Sequence, residues 1–184
     1  MNNDNDPLVE FPHIPVMVEE VMGYLQPLSG QIVLDCTVGN GGHASKIMNC
    51  IGSGGLLIGI DKDREILQIA KQNLAKVGGF FKLYQSNYTD VDEVLRLAGV
   101  DKVNGVLLDL GVSSLQFDRA ERGFSFSKEG LLDMRMDQSD GITARELIQR
   151  SSEQELAETL KKYGEERWSR RVARAIVLAE KKGG

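Results

Sequence analysis

The sequence predicts an α/β fold, a parallel sheet carrying helices on both faces. Three observations lead there. Strand-like runs at 32–34, 56–60, 80–85 and 103–109 alternate with segments whose apolar residues recur at helical spacing. The turn after the first run, Gly39-Asn40-Gly41-Gly42-His43-Ala44, is rich in glycine and opens a helix. Aspartates 35, 61 and 109 stand where the first, second and fourth runs end.

Taken in order, Pro15 suits the first position of a helix in which Val18, Val21, Met22 and Leu25 share a face and which Pro27 and Gly30 stop. The first strand follows. After the glycine turn, Ile47, Met48 and Ile51 suit one face of a helix, and the second strand ends on Asp61. Residues 64–76 place Ile66, Leu67, Ala70 and Leu74 at helical spacing and stop at Gly78-Gly79. The third strand is 80–85. Thr89, with Asp92 three residues on, is expected to cap a helix that runs through Val94, Leu95 and Ala98 and closes at Gly99. The fourth strand is 103–109. Strands joined this way cross over right-handedly and bind ligands at their carboxyl ends, where the three aspartates lie. Beyond them, 110–140 shows no clean period and reads as an elaborated loop. Helical pattern resumes at 143–149, 153–163 and 165–182, a small helical appendage.

With 184 residues, the chain can bury one good core and a small subdomain. Its 41% hydrophobic and 27% charged residues exclude disorder, and no apolar run is long enough to span a bilayer. The opening Met-Asn-Asn-Asp-Asn-Asp-Pro is neither a signal nor a transit peptide, so a cytoplasmic location with no membrane partner is expected. Cys36 and Cys50 read as small buried hydrophobes rather than a disulfide, and His13 and His43, thirty residues apart, suggest no metal site. The net charge is -5, yet 161–182 holds eight basic and three acidic residues, a local +5 that leaves -10 elsewhere. An RNA partner is therefore compatible with an acidic chain.

The glycine turn and Asp61 together form a grip for an adenosine-bearing cofactor: glycines let backbone approach the ligand, and the carboxylate faces two ribose hydroxyls. A dinucleotide fits the same fingerprint, and a tight turn with a capping Asp is the structural alternative. Ser113 and Ser114 lack the surroundings of a nucleophile elbow.

Five blocks narrow this choice. Asp35-Cys-Thr-Val-Gly-Asn-Gly-Gly-His43, Leu107-Leu-Asp-Leu-Gly-Val-Ser-Ser-Leu-Gln-Phe-Asp118, Glu121-Arg-Gly-Phe-Ser-Phe126, Leu132-Asp-Met-Arg-Met-Asp137 and Tyr163-Gly-Glu-Glu166 occur in this order. From about His13 onward the chain resembles the bacterial 16S ribosomal RNA cytosine-N4 methyltransferases, the RsmH or MraW family. The resemblance implies S-adenosylmethionine as cofactor and, as substrate, a cytidine of 16S rRNA within the small ribosomal subunit. Gly41, Gly42 and His43 would line the methionine end, Asp61 the ribose and Tyr88 the adenine, with Asp109 and Gln116 completing the cofactor site. Thr37 stands where methyltransferase turns commonly have their first glycine, and Leu131 where this family usually has proline. The family continues through further strands and a Ser-Phe-His-Ser-type block that this sequence lacks. A truncated protein is thus expected, binding cofactor weakly and methylating poorly by itself, with its fourth strand an exposed apolar edge.

The expected architecture is a Rossmann-like class I methyltransferase core, incomplete, at 1–118, with sheet order 3-2-1-4, followed by part of a helical insertion at 119–184. Asp109 is the candidate for holding the target amine and collecting its proton, the alternative being that it only binds the cofactor's amino group. Phe124 and Phe126 are candidates for stacking on a flipped base, or else pack the appendage. Arg167, Arg170, Arg171 and Arg174 fall on one stripe of the last helix and suit RNA phosphates, while Trp168, Val172, Ala175, Ile176 and Ala179 cover the packing face. No metal is expected, and a homo-oligomer stays open. The rivals are an NAD-dependent oxidoreductase and a non-catalytic RNA-binding or assembly module.

Overall fold

The computed structural model describes residues 15–182, so His13 and the acidic opening segment lie outside the described residues. The chain divides into two compact units, Met1–Leu115 and Gln116–Gly184.

In the first unit, α1 (Val18–Leu25) precedes β1 (Ile32–Asp35), α2 (Gly42–Ile51), β2 (Leu56–Asp61), α3 (Arg64–Val77), β3 (Phe80–Gln85), α4 (Val91–Ala98) and β4 (Gly105–Leu107). All pairings are parallel, in the order β3-β2-β1-β4. Val33 and Leu57 pack on one face against Ala44, Ile47, Met48 and Ile51 of α2 and Ala70 and Leu74 of α3. Leu34, Ile58 and Ile60 pack on the other against Val94 and Ala98 of α4. Burial on both faces is why the central strands read as unbroken apolar runs. Each such side chain contributes roughly 1.5–3 kcal/mol of transfer free energy. No helix among the described residues is long and apolar enough to cross a membrane.

Four local expectations change. Pro15 does not start α1: Met17, at φ 57, turns the chain before Val18, and the Pro15 ring fills the space a Cβ on Gly42 would need. The cap before α4 belongs to Asn87, whose side chain accepts the Thr89 N–H at the start of a short 3-10 turn, Tyr88–Asp90. β4 is three residues long because it pairs only with β1 and because the Asp109 N–H turns away to the Thr37 hydroxyl. Cys36 is buried as expected, but Cys50 is exposed, on the outer side of α2. Val106 within this short strand and Leu108 just after it are each about half exposed, and no described strand pairs with the outer edge of β4.

In the second unit, α6 (Ala144–Arg150), α7 (Glu153–Gly164) and α8 (Ser169–Lys181) follow the short α5 (Ser114–Asp118), which begins just before the division. Leu156, Ala157 and Ala173 form the core, with Ile148, Leu160, Ile176 and Val177 against it. The preceding loop is ordered by polar bonds, which explains its lack of period: the buried Arg122 guanidinium donates to the carbonyls of Arg135 and Met136, and Arg135 forks onto Asp133. Capping boxes at Thr143/Glu146 and Ser152/Glu155 fix the starts of α6 and α7. The last helix starts four residues later than expected. Glu165 takes a left-handed φ of 51, and the Glu166 carboxylate accepts the Trp168 N–H, which breaks the chain before Ser169. Its packing face is also shifted: Ser169, Ala173, Ile176 and Val177 turn inward, while Trp168, Ala175 and Ala179 are exposed.

Candidate functional site

The glycine turn is fastened to both neighbouring strands. Cys36 N–H donates to Leu107 O and Val38 N–H to Ile60 O, both at 2.9 Å. Gly39 and Gly41 adopt φ of 53 and 95, a left-handed region costly to residues with a side chain. A Cβ on Gly41 would also press within 3.2 Å of Leu74. The Asn73 amide holds the Asn40 carbonyl at 2.9 Å, and Ser45 returns its hydroxyl to the Gly41 carbonyl at 2.6 Å. The turn therefore delivers the N-terminus of α2, which has no side-chain cap, to the carboxyl ends of the strands.

Three carboxylates surround that point. Asp61 accepts from the Gly39 N–H at 3.0 Å and the Asp63 N–H at 2.9 Å, and burial pushes its carboxyl above the usual range. Asp109, with its side chain 56% exposed, stands two residues beyond β4, its N–H on the Thr37 hydroxyl at 2.7 Å. Asp35 is fully buried at the end of β1. One of its oxygens accepts the Thr37 N–H at 3.1 Å, and the other, Oδ2, is buried with no hydrogen-bond partner. Burial above all, with the charges of Asp61 and Asp109 adding to it, pushes the Asp35 carboxyl up to about 7. Burial and the neighbouring Asp35 raise the Cys36 thiol in turn.

Gly41, Gly42, His43, Asp61 and Asp109 thus lie together at the carboxyl ends of the strands. Tyr88 lies in the turn after the edge strand β3, 45% exposed. Gln116 belongs to the second unit, buried within α5. Sequence reasoning placed Asp35 at a strand end but left it out of the site. Its signal was a carboxylate directly ahead of the glycine turn; its burial depends on strands distant in sequence.

An orphaned acceptor beside a glycine cradle fits a ligand that brings a cation or a donor. The carboxylates of Asp61 and Asp109 at the strand ends favour positive charge and oppose the two negative charges of a dinucleotide's pyrophosphate. Among the described residues, no three His, Cys, Asp or Glu side chains are placed to hold a metal ion.

In the second unit, Arg170, Arg171 and Arg174 are exposed on α8, while Arg167 precedes the helix and lies over the Trp168 ring at 5.3 Å. The four-arginine helical stripe is therefore three residues on the helix and one before it. Phe126 is fully exposed and Phe124 half-buried.

A family profile described as the MraW methylase family matches residues 10–183. The ribosomal RNA small subunit methyltransferase H of Pelobacter propionicus is 48% identical over 170 residues, 92% of this chain and 54% of that protein. Its counterpart in Thermotoga neapolitana is 50% identical over 167 residues, 90% of this chain and 55% of that protein. The chain thus spans about half the length of the curated relatives it matches. A solved structure of a Clostridium thermocellum protein aligns with 55% of this chain and 56% of its own, at a TM-score of 0.47 and 20% identity.

Proposed function

Because the chain belongs to the MraW methylase family, we propose that its first unit holds S-adenosylmethionine and that it serves methyl transfer to the N4 amine of a cytidine in 16S ribosomal RNA. The observation that carries the cofactor reading is the glycine turn at the strand ends, tied to Asp61 and Asp109, with the orphaned oxygen of Asp35 buried at the end of β1. S-adenosylmethionine has both features these residues call for, a positively charged methionine end and a ribose diol. When bound, it supplies a methyl group already activated on a sulfonium. Asp61 takes the diol, the Gly41–His43 backbone lines the methionine end, and Tyr88 offers an aromatic face to the adenine.

The remaining work falls to the chain. A cytosine amine is a poor nucleophile because its lone pair is delocalised into the ring, so it must be aligned and relieved of a proton. Asp109 is exposed enough to accept an amine N–H, and it stands beside the N-terminus of α2. Alignment of this kind is worth on the order of 7 kcal/mol in ideal cases, and a positioned base roughly a hundredfold or more in rate. In the second unit, the exposed Phe126 suits stacking on an unpaired base better than the half-buried Phe124, whose packing fits a structural role. Arg170, Arg171 and Arg174 suit phosphates, with Arg167 beside Trp168 a further cation.

Small ribosomal subunits incubated with the chain and S-adenosylmethionine, then digested to nucleosides for mass spectrometry, should yield N4-methylcytidine. The rate should be low, in keeping with the unpaired outer edge of β4. Asp109→Asn should lower turnover about a hundredfold at saturating cofactor. A methyl group on another atom, or no product after prolonged incubation, would overturn the substrate reading; unchanged turnover in Asp109→Asn would overturn the role of the carboxylate.

A further inference from the structure

His43 sits in the first turn of α2, 7% exposed, between two groups that can only accept a hydrogen bond. Its Nε2 lies 3.0 Å from the Val16 carbonyl, so that nitrogen carries a proton and donates it. Its Nδ1 faces the Asp109 carboxylate at 3.6 Å. The ring thus bridges the Val16 carbonyl and the Asp109 carboxylate from the first turn of α2. The segment carrying Val16 is itself held in place: the Pro15 ring sits on Gly42, and Met17 keeps a left-handed φ of 57 that an unrestrained chain would leave. The charged neighbours are Asp35 at the end of β1 and Asp61 at the end of β2, with Asp35 close enough to feel the charges of both Asp61 and Asp109.

We propose that His43 is a positioning residue that ties residues 15–17 to Asp109 across the N-terminus of α2. The inference rests on the methyl-transfer reading above and deepens it: the tie sets where the Asp109 carboxylate stands when the amine is presented. Removing either end leaves the imidazole one partner and frees the other.

Two substitutions separate the ends. In His43→Gln the amide falls near the former Nε2 and reaches Val16 alone; in His43→Asn it falls near Nδ1 and reaches Asp109 alone. His43→Gln should keep hydrogen-exchange protection over residues 15–22 and lose roughly tenfold or more in turnover at saturating cofactor; His43→Asn should lose the protection and keep more of the turnover. The chain has only two histidines, so nitrogen-15 spectra of the imidazoles give a readout that needs no cofactor. Asp109→Asn should move the Nδ1 resonance of His43 and leave His13 in place. An unmoved His43 resonance, or two histidine variants indistinguishable from the unsubstituted chain, would overturn the proposal. If S-adenosylhomocysteine failed to bind the unsubstituted chain, the cofactor reading would fall while the spectroscopic result stood.

Discussion

The first unit builds a large apolar core on both faces of its sheet, whereas the second builds only a small one between helices. Leu34, Ile47, Leu57, Ile58 and Ile60 are all but inaccessible in the first unit; in the second, Phe126, Leu131 and Trp168 are each more than half exposed and the buried apolar core comes down to Leu156, Ala157 and Ala173. The second unit is held instead by capping boxes and by the Arg122 and Asp133/Arg135 bonds. One region is a rigid frame for carboxylates at strand ends. The other uses polar bonds to fix its loops and leaves aromatic and cationic side chains available to a partner.

Core truncation should separate the two most strongly. Ile58→Ala, inside the two-sided core, should cost about 2–5 kcal/mol, as a fully buried aliphatic does, while Leu156→Ala should sit at the low end of that range. Urea unfolding measures both, and equal losses would erase the contrast. The next effect is on pH dependence, where the two units run in opposite directions. The Asp35 carboxyl is raised from 3.8 to about 7 by folding, so its stabilising contribution is full below about pH 4 and lost as pH rises through 7. The loss should reach up to roughly 4 kcal/mol, and Asp35→Asn should flatten it. Asp133, held down at about 2 chiefly by Arg135, contributes above about pH 4 and loses its contribution as pH falls through 2. Thermal melts from pH 3 to 8 should show the Asp35 slope, and a flat wild-type profile would contradict it. Smaller still, Thr143→Ala and Ser152→Ala should each cost about 1 kcal/mol by removing a cap, with the sole tryptophan, Trp168, as a fluorescence probe within that unit. Charge reversal at Arg170 and Arg171 should leave stability nearly unchanged but lower RNA affinity and flatten its salt dependence, by about 0.7 to 0.9 in slope for each phosphate no longer neutralised.

The same contrast governed what could be read from the sequence. Leu56–Asp61, Arg64–Val77 and Phe80–Gln85 were legible nearly to the residue because periodicity and terminal glycines act locally. The start of α8 was not: its apolar and basic residues continue a helical count through Arg167, yet a left-handed Glu165 and the Glu166 bond to Trp168 interrupt the helix. Pro15 misled for a related reason, since its position is set by Gly42 across space rather than by the helix that follows it. In the candidate site, the glycine turn and Asp61 were visible as a motif. The burial of Asp35 and the link from Val16 through His43 to Asp109 were not, because they arise between segments far apart in sequence.

The glycine turn and Asp61 together should accept a cationic adenosine cofactor. Calorimetric titration of the 184-residue chain and of Asp61→Ala with S-adenosylmethionine and with NAD tests it most directly. S-adenosylmethionine should bind the chain, NAD should not, and Asp61→Ala should weaken the binding by roughly tenfold or more, as the loss of hydrogen bonds to a charged group implies. Comparable binding of NAD, or S-adenosylmethionine affinity untouched by Asp61→Ala, would contradict the account.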